Sequence, residues 1–130
     1  MSYRYSDAAS LEGTDMVGSH QCVDLVKHYA HAPATALWRE GVRVMDTPLI
    51  PVGTAIATFV KGEYRSHAHG NHAAFFLRSD GHCIWVMDQW ANDEDNKPVV
   101  SSRAICRKGR LKNGRYVDPS NNADAFSIIE

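Results

Sequence analysis

The sequence predicts an α+β fold, with N-terminal helices followed by a run of strands that form an antiparallel sheet. Two observations carry this. Between residues 20 and 30 the apolar positions Cys22, Val23, Leu25, Val26, Tyr29 and Ala30 recur at three-to-four spacing, the pattern of a helix with one buried face. From residue 54 onward, short apolar runs are bounded by Gly, Pro, Asn and Asp, which punctuate strands and turns. Helices that precede strands, rather than alternating with them, argue for α+β over a parallel βαβ sheet.

The elements follow in order. Ser19 is expected to cap a first helix over about residues 20–30 by accepting from an early backbone N–H. Pro33 follows, and residues 35–39, with Trp38, read as a second short helix that the Gly41 region ends. The halves divide near residues 48–51, where two prolines fall. Residues 54–60 read as a buried strand, and residues 72–78 and 82–90 as a hairpin turned by Ser79-Asp80-Gly81. A polar loop at 93–98, a strand at 99–106 and short closing strands at 115–117 and 125–129 complete the reading.

A chain of 130 residues is expected to form one domain, residues 1–130. With 44% apolar and 22% charged residues it can bury a core without metal or disulfide staples. Fourteen Lys plus Arg against fifteen Asp plus Glu leave a net charge of -1, so no basic field attracts nucleic acid or anionic lipid. No apolar run is long enough for a membrane span, and residues 1–12 lack the basic flank and apolar run of an export signal. Neither membrane insertion nor conventional export is therefore expected. Six basic residues lie between Arg103 and Arg115 with no acid among them, opposite in sign to the cluster Asp93, Glu94, Asp95; the stretch reads as a solvated loop that an acidic partner could still use.

Three cysteines are too few for a disulfide scaffold and odd in number, which leaves a free thiol. Cys22 falls near the start of the first helix, where unpaired N–H groups and the helix dipole favour a thiolate. Read otherwise, it is a small core residue on an apolar face, and a partner base decides between the two. Of seven histidines, His72 opens the apolar strand Ala73-Ala74-Phe75-Phe76-Leu77 and is thereby anchored beside a loop. A three-residue turn would pair Arg78 with His82 and set Asp88 opposite His72; a two-residue turn would set Gln89 there instead. Either polar residue could orient the imidazole, completing a nucleophile, base and orienter. A competing reading gives His67, His69 and His72 to zinc with Cys22, although the paired cysteines of a structural zinc site are missing. Cys83 and Cys106 lie in neighbouring expected strands and could form a disulfide if those strands are adjacent, or could be two small buried residues.

The pattern of Gln21-Cys22 opening a helix, Asn71-His72 starting a strand and Met87-Asp88-Gln89 ending the next resembles the CHAP and NlpC-type cysteine peptidases of bacterial cell walls, within the papain-like superfamily. More closely, Gly18-Ser19-His20-Gln21-Cys22-Val23, Trp38-Arg39-Glu40-Gly41, Gly53-Thr54-Ala55-Ile56-Ala57 and Gly70-Asn71-His72-Ala73-Ala74 resemble the amidase effectors of type VI secretion, nearest the second family and its domesticated animal relatives. The resemblance spans residues 13–130 and implies a papain-like fold with Cys22 as nucleophile, His72 as base and Asp88 as orienter. It also implies cleavage of peptidoglycan cross-links at the D-alanine to meso-diaminopimelate bond. Delivery would run from the producer's cytoplasm through the type VI apparatus to the periplasm of a rival, with a cognate immunity protein protecting the producer. It gives no role to His67 or His69. Backbone N–H groups at the helix start are expected to hold the oxyanion, with Gln21 and Gln89 as auxiliary residues and neither cofactor nor metal needed. Two rivals stand beside this reading: a thiol protease, deamidase or acyltransferase acting on proteins, and a non-catalytic zinc- or wall-binding module.

Overall fold

The computed structural model describes residues 2–65, 70–91 and 96–130. Among them are an α-helix, α1 (Cys22–Ala30), and six strands: β1 (Glu40–Arg43), β2 (Ala55–Thr58), β3 (Ala73–Ser79), β4 (Cys83–Asp88), β5 (Ser101–Cys106) and β6 (Phe126–Ile129). The strands make a single antiparallel sheet in the order β1-β6-β2-β3-β4-β5. The helix packs on β3, which gives the α+β architecture that the sequence predicts.

The sheet is buried on both faces, and alternation along the strands sorts residues between them. Ala55, Ala57, Ala73, Phe75 and Met87 face a cluster that includes Leu25, Val26 and Ala30 of α1. Ile56, Ala74, Phe76, Ile84, Val86, Ile105 and Phe126 face a second cluster with Val44 and Ala123. Small alanines on the helix side of β2 and β3 let α1 approach closely, and bulkier residues fill the far side.

Several local expectations change. The helix starts at Cys22, not at residue 20: His20 is left-handed at φ 71° and cannot join a right-handed helix. Ser19 is not the cap, since its N–H and hydroxyl both donate to the Asp24 carboxylate. Residues 35–37 form only a 3₁₀ turn, and the chain then enters β1, which the sequence reading missed. β1 is an edge strand of exposed and half-buried residues, so it carries little of the apolar alternation that marks a strand. The expected strand at 115–117 is a single bridge between Arg110 and Tyr116. The side chain of buried Asn122 shapes that segment by donating to the carbonyls of Gly109 and Val117 and accepting from Lys108 N–H.

The β3–β4 hairpin also differs in register. Asp80 N–H donates to the Cys83 carbonyl, so the turn residues are Gly81 and His82, and Gly81 takes φ 90°. The Asp80 carboxylate accepts from the N–H groups of both His82 and Cys83. Between Phe76 and Arg78 the register then slips by one, from Arg78↔Trp85 to Phe76↔Val86. Neither expected pairing of His72, with Asp88 or with Gln89, is directly opposed. Continuing the Phe75↔Met87 register instead sets Asp88 diagonal to His72, with both residues on the face of Ala74 and Val86.

Gly53, at φ 88°, lies where the N-terminal segment crosses the sheet; its carbonyl accepts from Tyr5 N–H, and a Cβ there would sit 1.8 Å from the Tyr5 carbonyl oxygen. Gly53→Ala should therefore destabilise the protein by more than about 1 kcal/mol, read as a lower denaturant midpoint in chemical unfolding.

Candidate active site

Cys22 is the first residue of α1, preceded by Gln21 in extended conformation, so its N–H belongs to the unpaired first turn of the helix. The loop leading to it is clamped by Gln89, which is fully buried. Gln89 Oε1 accepts from Val17 N–H at 3.0 Å, and Nε2 donates to the carbonyls of Val17 (3.1 Å) and Gln21 (2.8 Å). Both amide hydrogens of Gln89 are thus engaged by backbone on the helix side of the sheet. Gln89 neither orients His72 nor has a donor left for an oxyanion; it positions the backbone that carries Cys22. Gln21 contributes its carbonyl to this clamp, while its side chain makes no capping bond and is exposed.

His72 immediately precedes β3 and is 4% exposed. Its N–H donates to Thr58 Oγ1 and its carbonyl accepts from Thr58 N–H, both at 3.0 Å, which holds its backbone against β2. The ring lies edge-on to Trp90 and Phe126. His72 Nε2 is 2.7 Å from Asp88 Oδ2, and the ring stands near enough to the Cys22 thiol to stabilise its thiolate. With Nε2 turned to Asp88, Nδ1 is the ring nitrogen left for the sulfur. The structure thus brings Cys22, His72 and Asp88 together.

Asp88 is fully buried and holds more than the histidine. Lys97 Nζ donates to Oδ1 at 2.5 Å and to the Ser101 carbonyl at 2.9 Å. Arg103 Nε donates to Oδ2 at 2.8 Å, and its other nitrogens reach Asn121 Oδ1 and the Ser120 carbonyl. Lys97 and Arg103 both lie against the ring of Trp90. Sequence reasoning missed these two residues because it read Arg103 as part of a basic stretch and Lys97 as part of a polar loop. That basic stretch is in fact largely engaged within the chain: Arg107 pairs with Asp124, Lys108 with Asp118, and Arg110 donates to Tyr116. The cluster Asp93 to Asp95 lies outside the described residues, as do His67 and His69.

The electrostatics follow from these contacts. Burial opposes the Asp88 carboxylate, but the His72 bond and the charges of His72, Arg103 and Lys97 outweigh it and hold the group well below the ordinary carboxylate range. Burial likewise opposes imidazolium, yet the bonds to Asp88 and Cys22 lift His72 to about 9. Burial pushes the Cys22 thiol up, and the bond and charge of His72, the N–H of Ala73 and the Tyr64 hydroxyl together bring it below its ordinary value. All three shifts favour a thiolate–imidazolium pair at neutral pH.

Cys83 and Cys106 are opposed in the β4–β5 ladder and their sulfurs are bonded, leaving Cys22 as the free cysteine. Among the described residues, the group of three metal-ligand side chains close enough to share an ion is His82 with Cys83 and Cys106, at the opposite end of β4 from Asp88.

A helix that begins on a cysteine, laid against an antiparallel sheet whose central strand is immediately preceded by a histidine, defines an α+β domain of papain-like architecture. A family model described as Domesticated amidase effector 2 matches residues 2–129. The chain is 47% identical over 134 residues to the Type VI secretion amidase effector 2 protein of Salmonella typhi, covering 100% of both chains. It is also similar to a solved structure of a Type 6 secretion amidase effector 2 (Tae2), with a TM-score of 0.89 and 45% identity over 98% of this chain and 94% of that one. The chain belongs to the amidase effector 2 family, and it is an amidase effector of the type VI secretion class.

Asp88→Asn should destabilise the fold by about 3–5 kcal/mol, because Lys97 and Arg103 would be left against a neutral group in a buried site. The wild-type contribution of Asp88 is fully present above the unfolded carboxylate pKa of about 4 and fades as pH falls toward the depressed native value. Urea unfolding of wild type and variant at neutral and acidic pH should show a gap between them that narrows on acidification.

Proposed function

We propose that this amidase effector is a cysteine hydrolase that cleaves stem-peptide cross-links of peptidoglycan, at the bond between D-alanine and meso-diaminopimelate. The observation that carries the reading is the grouping of Cys22, His72 and Asp88 in a member of an amidase effector family. The type VI apparatus would deliver the protein from the producer's cytoplasm to the periplasm of a rival cell. Among the described residues no helix is long and apolar enough to cross a membrane, in keeping with a water-borne effector.

Each catalytic step uses groups already described. The Cys22 thiolate attacks the scissile carbonyl carbon, a sulfur–carbon bond forms, and the π pair of the carbonyl moves to its oxygen. Backbone N–H at the start of α1, that of Cys22 included, meets the oxyanion. Collapse expels the amine, which takes the proton of the His72 imidazolium. Neutral His72 then removes a proton from water as water attacks the thioacyl carbon, and departure of the sulfur restores the ion pair. Asp88 keeps Nε2 occupied and the ring in register throughout.

A cognate immunity protein is expected to cover the cleft at Cys22. Because Arg103, Arg107, Lys108 and Arg110 hold bonds within the chain, they are poor candidates for steering its approach.

Digestion of purified peptidoglycan followed by mass analysis should yield uncross-linked stem peptides with a new D-alanine carboxyl terminus. Cys22→Ala should slow this by about 10,000-fold or more while remaining folded. Cleavage of a different bond would redirect the substrate assignment, and a fully active Cys22→Ala would end the cysteine mechanism. Turnover should also follow a bell in pH: the acid limb lies below the ordinary thiol range, where the thiolate forms, and the alkaline limb falls near 9, as His72 loses the proton it must give the leaving amine.

A further inference from the structure

Tyr64 has no part in the three-residue group, yet its hydroxyl is 3.7 Å from Cys22 Sγ. It reaches the site through a tight reversal at Lys61 and Gly62, left-handed at φ 52° and 79°, which bridges Val60 to Glu63. Its ring is 9% exposed, tilted on Trp38 at a centroid distance of 4.9 Å and edge-on to Phe59. Trp38 is fixed in turn by donating its indole N–H to the Pro33 carbonyl. The phenol is therefore held by packing rather than by the polar site.

We propose that Tyr64 is a further catalytic residue, whose hydroxyl, held by Asn71, donates to the Cys22 sulfur and then to the oxyanion formed on attack. Hydrogen-bond direction fixes what the phenol can do. A phenol has a single proton to give, and Asn71 Nδ2 donates to the Tyr64 oxygen at 3.2 Å, leaving that proton free to point at the sulfur. The reverse amide orientation would draw the proton toward Asn71 and turn an oxygen lone pair to the thiolate, which is repulsive. Burial, followed by the charge of Cys22, pushes the phenol well above its ordinary range, so it remains a neutral donor throughout.

When sulfur bonds to the carbonyl carbon, its negative charge passes to the substrate oxygen, one bond beyond the new sulfur–carbon bond. A donor already within reach of the sulfur can turn to that oxygen without crossing the site. It then supplements the backbone N–H of Cys22, in the auxiliary role for which the exposed side chain of Gln21 is poorly placed. No proton leaves Tyr64 in this step. The hydroxyl changes its acceptor, and the leaving amine still takes its proton from His72.

The inference rests on Cys22 as the nucleophile, so the test measures both. Tyr64→Phe keeps the ring and its packing on Trp38 and should unfold at the wild-type temperature. On a soluble cross-linked muropeptide dimer, kcat should fall by about 100-fold with KM little changed, the size of effect seen when one oxyanion donor is removed. The pH midpoint for alkylation of Cys22 by iodoacetamide should move upward. Asn71→Ala should move that midpoint in the same direction by less, and in the Tyr64→Phe background should add nothing. Should Tyr64→Phe itself fail to fold, an upward alkylation midpoint in Asn71→Ala supports the proposal and an unchanged one overturns it. A folded Tyr64→Phe with wild-type kcat and alkylation midpoint, beside an inactive Cys22→Ala, overturns the role of Tyr64 alone. A fully active Cys22→Ala overturns the cysteine mechanism and the Tyr64 proposal with it.

Discussion

The carboxylate of Asp88 is the interaction on which the site and much of the surrounding sheet depend. It is fully buried, and a carboxylate without partners there would bear a desolvation penalty of several kcal/mol. Three donors compensate, and they come from separate parts of the chain: His72 ahead of β3, Lys97 from the loop before β5, and Arg103 from β5 itself. Meeting that one requirement ties β3, β4 and β5 together at the end of the sheet where Cys22 sits. The charges also interact with one another. Lys97, Arg103 and the imidazole share the carboxylate, and their charges together hold it ionised. The proposed catalytic residues are thereby built into a network that also holds the fold.

Adjacent residues at the end of β4, Asp88 and the Gln89 that follows it, divide the work because an extended chain alternates its faces. Asp88 looks to the face of Val86 and Ala74 and meets the imidazole; Gln89 looks to the helix side and meets the backbone that leads into α1. One strand end thus aligns the His72 imidazole and, from its other face, the peptide leading to Cys22. A slip of one residue in β4 would exchange a charged group for an amide beside His72 and break both arrangements at once. The β4–β5 ladder is tied at both ends, by the Cys83–Cys106 bond near the hairpin turn and by the Asp88 cluster near the site, which leaves little freedom for such a slip.

Much of this was legible in the sequence, for identifiable reasons. The helix carrying Cys22 declares itself by apolar spacing, His72 by heading an unbroken apolar run, and the hairpin by Asp80-Gly81. Matching Asp88 to His72 needed only parity, which a register error of two residues leaves intact; for that reason the face was right although the pairing was not. The edge strand β1 and the bridge at Tyr116 escaped because neither buries a regular apolar face.

By itself, then, the sequence determined the fold class, the helix that bears the thiol and the strand that bears the histidine, because those depend on local periodicity and on residues close along the chain. Only the tertiary structure decided between Asp88 and Gln89 at the imidazole, recruited Lys97 and Arg103 to the carboxylate, and set Tyr64 beside the sulfur. Tyr64 and Cys22 are 42 positions apart and joined by no sequence period. What brings them together is a left-handed turn at Lys61 and Gly62 and a tryptophan against which the phenol can pack, and neither has a signature until the chain has closed on itself.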